Sequence, residues 1–203
     1  MKLNLGTTKH ELTLAFTFTQ EGKELSTKQQ ATLLKFMLLF NVFEGALFTG
    51  SRSQDANCKE ICANLAKCED WFKIEDYYDE YGVFFVERFT KNGEYNDNNL
   101  FGGRRPQPDI GKTVKKVIEK LKNGDKDNGE LFYSYLQIAF RYRNKLFHGE
   151  KTAFGLDQQI ACFDKINWMM NKLLGDMMDH QFVGLNKEIS KNIRIVKGDK
   201  NYD

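Results

Sequence analysis

Very little in this 203-residue chain breaks or cross-links a polypeptide. It holds two prolines, Pro106 and Pro108, so outside that stretch no ring forbids a long helix. Cysteines number four, at positions 58, 62, 68 and 162. Cys58 and Cys62 are one helical turn apart, which is not the spacing of a zinc knuckle or ribbon, and no histidine lies nearby. Reduced thiols are the simpler expectation, and no metal or other cofactor is expected. No apolar segment follows the opening Met1-Lys2-Leu3-Asn4-Leu5-Gly6, so no secretory signal is read. The longest apolar run, residues 36–43, is interrupted by Asn41 and is too short to span a bilayer. A cytoplasmic protein without a membrane segment is expected. Neither charge sign dominates: 30 basic against 28 acidic side chains leave a net charge of +2. Nucleic-acid binding would therefore have to come from a local patch.

What the chain does have is phenylalanine, 17 of them, and helical periodicity. Its length suits one domain with a real core. Residues 1–20 stand apart. Leu12, Leu14, Phe16 and Phe18 alternate with threonines, which predicts a half-buried strand with residues 2–5 as its hairpin partner. Ser26 and Thr27 each have a glutamine three residues later, a capping-box start. The helix it opens, residues 28–48, is apolar nearly all round and is expected in the middle of a bundle. Glu44 stands out there, with Asn41 on its face. Either it meets Arg143, or it points outward through a thin polar seam.

A polar loop at 50–57 leads to a helix ending near residue 67. Residues 70–89 predict another helix, which Gly82 either kinks or divides in two. Its aromatics, Trp71 to Phe89, read as core at helical spacing rather than as a base-stacking platform. The Asp76, Asp79 and Glu80 carboxylates read as its open face. Residues 92–109 are a long loop without a phosphate-loop pattern. A short basic helix follows at 110–121. From Arg104 to Lys126 eight basic residues face three acidic ones. That stretch is either a solvated helix face or an attraction for phosphate. Helices at 154–174 and 176–191 and a frayed tail at 197–203 complete the chain. His10 and His180 read as surface residues.

The central prediction is the helix at 129–149. Phe132, Tyr135, Leu136, Ala139, Tyr142 and Leu146 recur at three and four residues, with one face in a core. At about 100° per residue Arg143 falls near the middle of that face, where an unpaired guanidinium is costly. Asn144 and His148 stand one above the other, with Gln137 two turns earlier. Packing alone does not call for that set. Arg141 and Lys145 fall toward the exposed side, either to hold an RNA backbone or as plain surface charges.

Residues 143–148, Arg-Asn-Lys-Leu-Phe-His, resemble the R-N-x-x-x-H form of the RxxxxH signature of HEPN domains. Arg141 also precedes His148 at a family-compatible spacing, but the asparagine after Arg143 favours the shorter register. The resemblance implies a mainly α, HEPN-like helical bundle over residues 21–196, here with the small N-terminal β element and the polar tail. It implies a metal-independent endoribonuclease, with Arg143, Asn144 and His148 as catalytic residues, Glu44 in support, and Arg104, Arg105, Arg141 and Lys145 available to RNA. It implies a homodimer whose two motifs share a cleft, a setting in toxin or antiviral defence, and an antitoxin or defence-system partner. In family members silenced by modification, a tyrosine two positions after the histidine is the target. Glu150 stands there, which counts against that mode of control. A non-catalytic interaction or RNA-binding module, or a helical subunit of a larger complex, are the rival expectations.

Overall fold

The computed structural model describes residues 25–96, 108–123, 128–147 and 156–185. The predicted N-terminal β element and the C-terminal tail lie outside them. The described residues are mainly helical with one two-stranded antiparallel sheet.

Helix α1, Thr27–Leu47, starts where its capping box says it should. The Ser26 hydroxyl accepts from the Gln29 backbone N–H, and the Gln29 side chain accepts from the Ser26 N–H. Leu33, Phe36, Phe40, Phe43 and Leu47 bury one side of it. The other side is not in the middle of anything. Leu38 is 61% exposed, and Leu34 and Val42 are exposed as well. By length and hydropathy α1 is the one helix among the described residues that would suffice to cross a membrane. Here it lies against the core along its phenylalanine face.

Helix α2, Gln54–Leu65, is capped by the Ser53 hydroxyl. The helix expected at 70–89, kinked or divided at Gly82, is three pieces: α3, Glu75–Tyr77; a π-helical turn, Tyr78–Gly82; and α4, Val83–Arg88. Gly82 is where the backbone yields. A Cβ there would overlap the Tyr135 hydroxyl, so the close approach of the π turn to the next layer requires glycine. Two-residue strands follow, β1, Thr90–Lys91, and β2, Glu94–Tyr95, paired antiparallel. Asn92 and Gly93 form their turn with φ of 52° and 81°. This Asn-Gly hairpin lies where a loop was expected.

Helix α5, Pro108–Lys122, opens on the residue whose fixed φ suits a first helical turn. Helix α6, Asn128–Phe147, matches the predicted motif helix closely. Helix α7, Ile160–Asp179, enters through a 3₁₀ turn at Asp157–Gln159 and continues through Gly175. The chain then turns at His180–Gln181, so the described part of the expected helix at 176–191 is the end of α7 followed by irregular chain. Leu173, Leu174 and Met177 are buried around Gly175. Tyr77 donates to Asp176 at 2.8 Å. Those contacts outweigh the roughly 1 kcal/mol that glycine costs inside a helix.

The centre of the bundle is α6, not α1. From Leu131 to Tyr142 all its side chains but the half-buried Tyr133 are buried. Its main neighbours are α2 and α5, while α7 lies chiefly along α1. Phe140 meets Phe40 at 5.0 Å and Phe48 at 5.4 Å. Tyr135 meets Tyr81 at 4.7 Å, and Tyr142 meets Phe163 of α7 at 5.6 Å. Of the aromatics over 70–89, Phe72, Tyr77, Tyr81, Phe85 and Phe89 are buried, and no base can stack on them.

Candidate functional site

The site is built on the last two turns of α6, where the helix emerges from its neighbours. Apolar burial up to Tyr142 fixes the rotation of α6, and that rotation sets Arg143 and Asn144 at the surface edge. Arg143 is not inside the apolar face. Its side chain is 29% exposed, and Glu44 of α1 is 42% exposed. The two do meet: the guanidinium Nη2 lies 3.6 Å from Glu44 Oε2. Nη1 donates to Asn144 Oδ1 at 3.1 Å. A carboxylate on one helix and a carboxamide on another thus hold one guanidinium. At this exposure the ion pair contributes little stability, under about 1 kcal/mol. Its effect is on where the positive charge sits.

Arg141 and Lys145 reverse expectation. Both are buried, at 7% and 5% exposure. The physical reason is that α6 is enclosed on nearly every side, so the flank that looks like its solvent side is also covered. Lys145 lays its ammonium 4.9 Å from the centroid of the Tyr142 ring. That cation–π contact and a buried stem suit a lysine that cannot reach bulk water. Lys145 and Arg141 are therefore not surface clamps for an RNA backbone.

Gln137, two turns before Asn144, is 3% exposed, and its amide Nε2 has no hydrogen-bond partner among the described residues. By helix rotation Gln137, Arg141 and Asn144 line one side of α6. His148 lies outside the described residues, as do Arg104, Arg105 and His10.

A second group of polar atoms was not foreseen. The Tyr142 hydroxyl donates to Cys162 Sγ at 3.2 Å. Burial raises the Cys162 thiol, while the Tyr142 hydrogen bond and the charges of Arg88 and Lys145 pull it back. Burial likewise holds Tyr142 neutral, against the opposing charge of Arg88. Arg88 also donates to the Gln158 carbonyl at 3.3 Å. Nothing in the sequence links residues 88, 142, 145 and 162; only the packing of α4 and α7 against α6 brings them together.

The basic helix is largely committed within the fold. Lys116 pairs with Glu130 at 2.9 Å, and Lys120 pairs with the same carboxylate. Lys115 lies 3.8 Å from Glu119. Lys122 donates to the Gly93 carbonyl of the hairpin turn. Lys116, Lys120 and Lys122 fasten α5 to α6 and to the β-turn, which leaves less positive charge for phosphate than the sequence count suggests. All four cysteines are free thiols, with Cys58, Cys62 and Cys162 buried. His180 is exposed and stacks on Trp71 at 4.9 Å. Among the described residues no cluster of His, Cys, Asp or Glu is arranged to hold a metal. Comparison with protein-family models, with curated proteins and with solved structures finds no match to this chain.

Proposed function

We propose that this chain is a HEPN-like, metal-independent endoribonuclease that works as a homodimer. The observation that supports it best is the placement of Arg143. It stands at the emerging end of α6, flanked by Glu44 and Asn144, five residues before His148 in the R-N-x-x-x-H pattern. Cleavage of RNA without a metal needs a base for the ribose 2′-OH, an acid for the leaving 5′-oxygen and a cation for the charge gathering at phosphorus. Imidazole suits the proton transfers because it titrates near neutrality. Guanidinium suits the phosphate because its donors stay charged. Attack of the 2′-oxygen on phosphorus forms the new P–O bond as the 5′-oxygen departs with a proton. The products are a 2′,3′-cyclic phosphate and a 5′-hydroxyl. One chain supplies one motif histidine, so base and acid come from two chains. The setting that fits is a cytoplasmic toxin or defence effector under a partner's control, a link that rests on family analogy.

The test is incubation of purified protein with tRNA and mRNA in EDTA, followed by end-group analysis. Cyclic-phosphate ends are expected from the wild type and none from His148→Ala, with the fold intact in both. A requirement for a divalent ion, or full activity in His148→Ala, sinks the proposal.

A further inference from the structure

Among the described residues, the outer face of α1 is an exposed apolar surface. Ala31, Leu34, Leu38, Asn41 and Gly45 follow one another at steps of three, four, three and four. That is the spacing of a seam between two helices packed side by side. Ala31, Leu34, Leu38 and Asn41 are exposed, and Gly45 is half-buried with nothing within 4 Å of where a Cβ would stand. Val42, 38% exposed, widens the stripe on one flank. No charged residue falls on the stripe itself; Lys35 borders it on the Val42 side and Glu44 on the other.

We propose that a second copy of this chain covers this face, α1 against α1 in parallel, about a two-fold axis running along the pair. The proposal rests on the composite-site reading of the nuclease and says where its seam lies. Three observations favour a second copy in this orientation. With the helices parallel, each seam residue meets its own counterpart, and all five are uncharged, so no like charges oppose. Small residues at both ends, Ala31 and Gly45, let the helices approach closely. Asn41 meets Asn41 of the other copy, and a carboxamide pair within an apolar seam fixes register and orientation.

The parallel arrangement also has a consequence for the site. Glu44 borders the seam beside Gly45, so both Glu44–Arg143 pairs stand at the same end of the dimer, on either side of the axis. An antiparallel pairing centred on Leu38 would put them at opposite ends. The stripe from Ala31 to Gly45 is about 21 Å long. A seam of one helix per chain lies at the small end of specific interfaces, so the dissociation constant should be on the order of micromolar.

Sedimentation equilibrium and thiol cross-linking test this on the full chain. The wild type should show a concentration-dependent dimer. Leu38→Glu should weaken it at least about 100-fold by setting two carboxylates face to face. Well below the dissociation constant its circular dichroism and melting should match those of the wild type, because Leu38 is 61% exposed. In a Cys68→Ser background, oxidised Asn41→Cys should give a covalent dimer. A wild type that stays monomeric throughout, or a dimer indifferent to Leu38→Glu, overturns the proposal. So does cross-linking seen only when Lys35→Cys and Asn41→Cys chains are mixed, the mark of an antiparallel pair. If Leu38→Glu separates the chains yet cleaves RNA as before, the seam stands and the shared-cleft reading falls. If separation abolishes cleavage and His148→Ala also does, both stand.

Discussion

Gln137 shows most clearly what a single residue reveals here. Its buried Nε2 donor finds no partner among the described residues. An unsatisfied buried donor costs about 1–3 kcal/mol. A helix selected for stability alone would carry leucine at that position. Gln137→Leu should therefore raise the melting temperature, by roughly 2–12 °C in a chain of this length. If the row from Gln137 to Asn144 serves RNA cleavage, the same substitution lowers the cleavage rate while stability rises. Calorimetry and the EDTA cleavage assay read the two effects separately. A variant no more stable than the wild type would show that the amide is satisfied and the site reading of it mistaken. The Glu44–Arg143 contact was legible at this scale because each charge interrupts an apolar sequence pattern, although both side chains prove part-exposed. The burial of Arg141 and Lys145 was not. Periodicity gives one apolar face of a helix, and it cannot tell how many other faces the rest of the chain will cover.

Among elements, the start of α1 was written in Ser26 and Gln29, whereas α2 starts behind Ser53 inside the stretch expected as a loop. The π turn was only partly legible: Gly82 marks a break, but its reason is the Tyr135 ring one layer away. Gly82→Ala should cost about 1–3 kcal/mol by overpacking against Tyr135 and the Tyr78 ring, 2.9 Å from the added carbon. Denaturant melts measure it, and a neutral result would mean that the π turn relaxes freely. The junction of α5 with α6 depends instead on pH. Hydrogen bonds from Lys120 and Lys116 hold the Glu130 carboxyl below its usual 4.5. At the start of α2, Lys59 and then Tyr133 hold Asp55 below its usual 3.8. Both folded values are depressed, so each contribution is present above the unfolded pKa and is lost as pH falls through the folded one. Exposure keeps each under about 1 kcal/mol. The difference in melting temperature between wild type and Glu130→Gln should be constant from neutrality down to about pH 5.5 and shrink as pH falls below the usual 4.5 and through the lowered folded value. A difference that grew on acidification would reverse the sign assigned to Glu130.

For the molecule as a whole, the sequence misdirects on one point: which helix is central. Hydropathy picks α1, the more apolar of the two long helices, yet α6 carries the bundle. The resolution lies in what surrounds each. Residues of α6 with polar ends still bury their stems and rings, as Tyr135, Tyr142 and Lys145 do, whereas among the described residues α1 leaves Leu34, Leu38 and Val42 exposed. Stability should follow enclosure rather than hydropathy. In native-state hydrogen exchange the amides of residues 134–142 in α6 should open only with global unfolding, at the full stability of the chain. Amides of α1 should exchange earlier, through partial openings that detach one helix from one layer. If a second copy covers α1, the protection of both helices should rise with protein concentration, because both the local opening of α1 and global unfolding break the seam and mass action opposes each. Equal protection of both helices at every concentration would mean that α1 is as enclosed as α6, and the reading of its outer face as vacant within the protomer would fail.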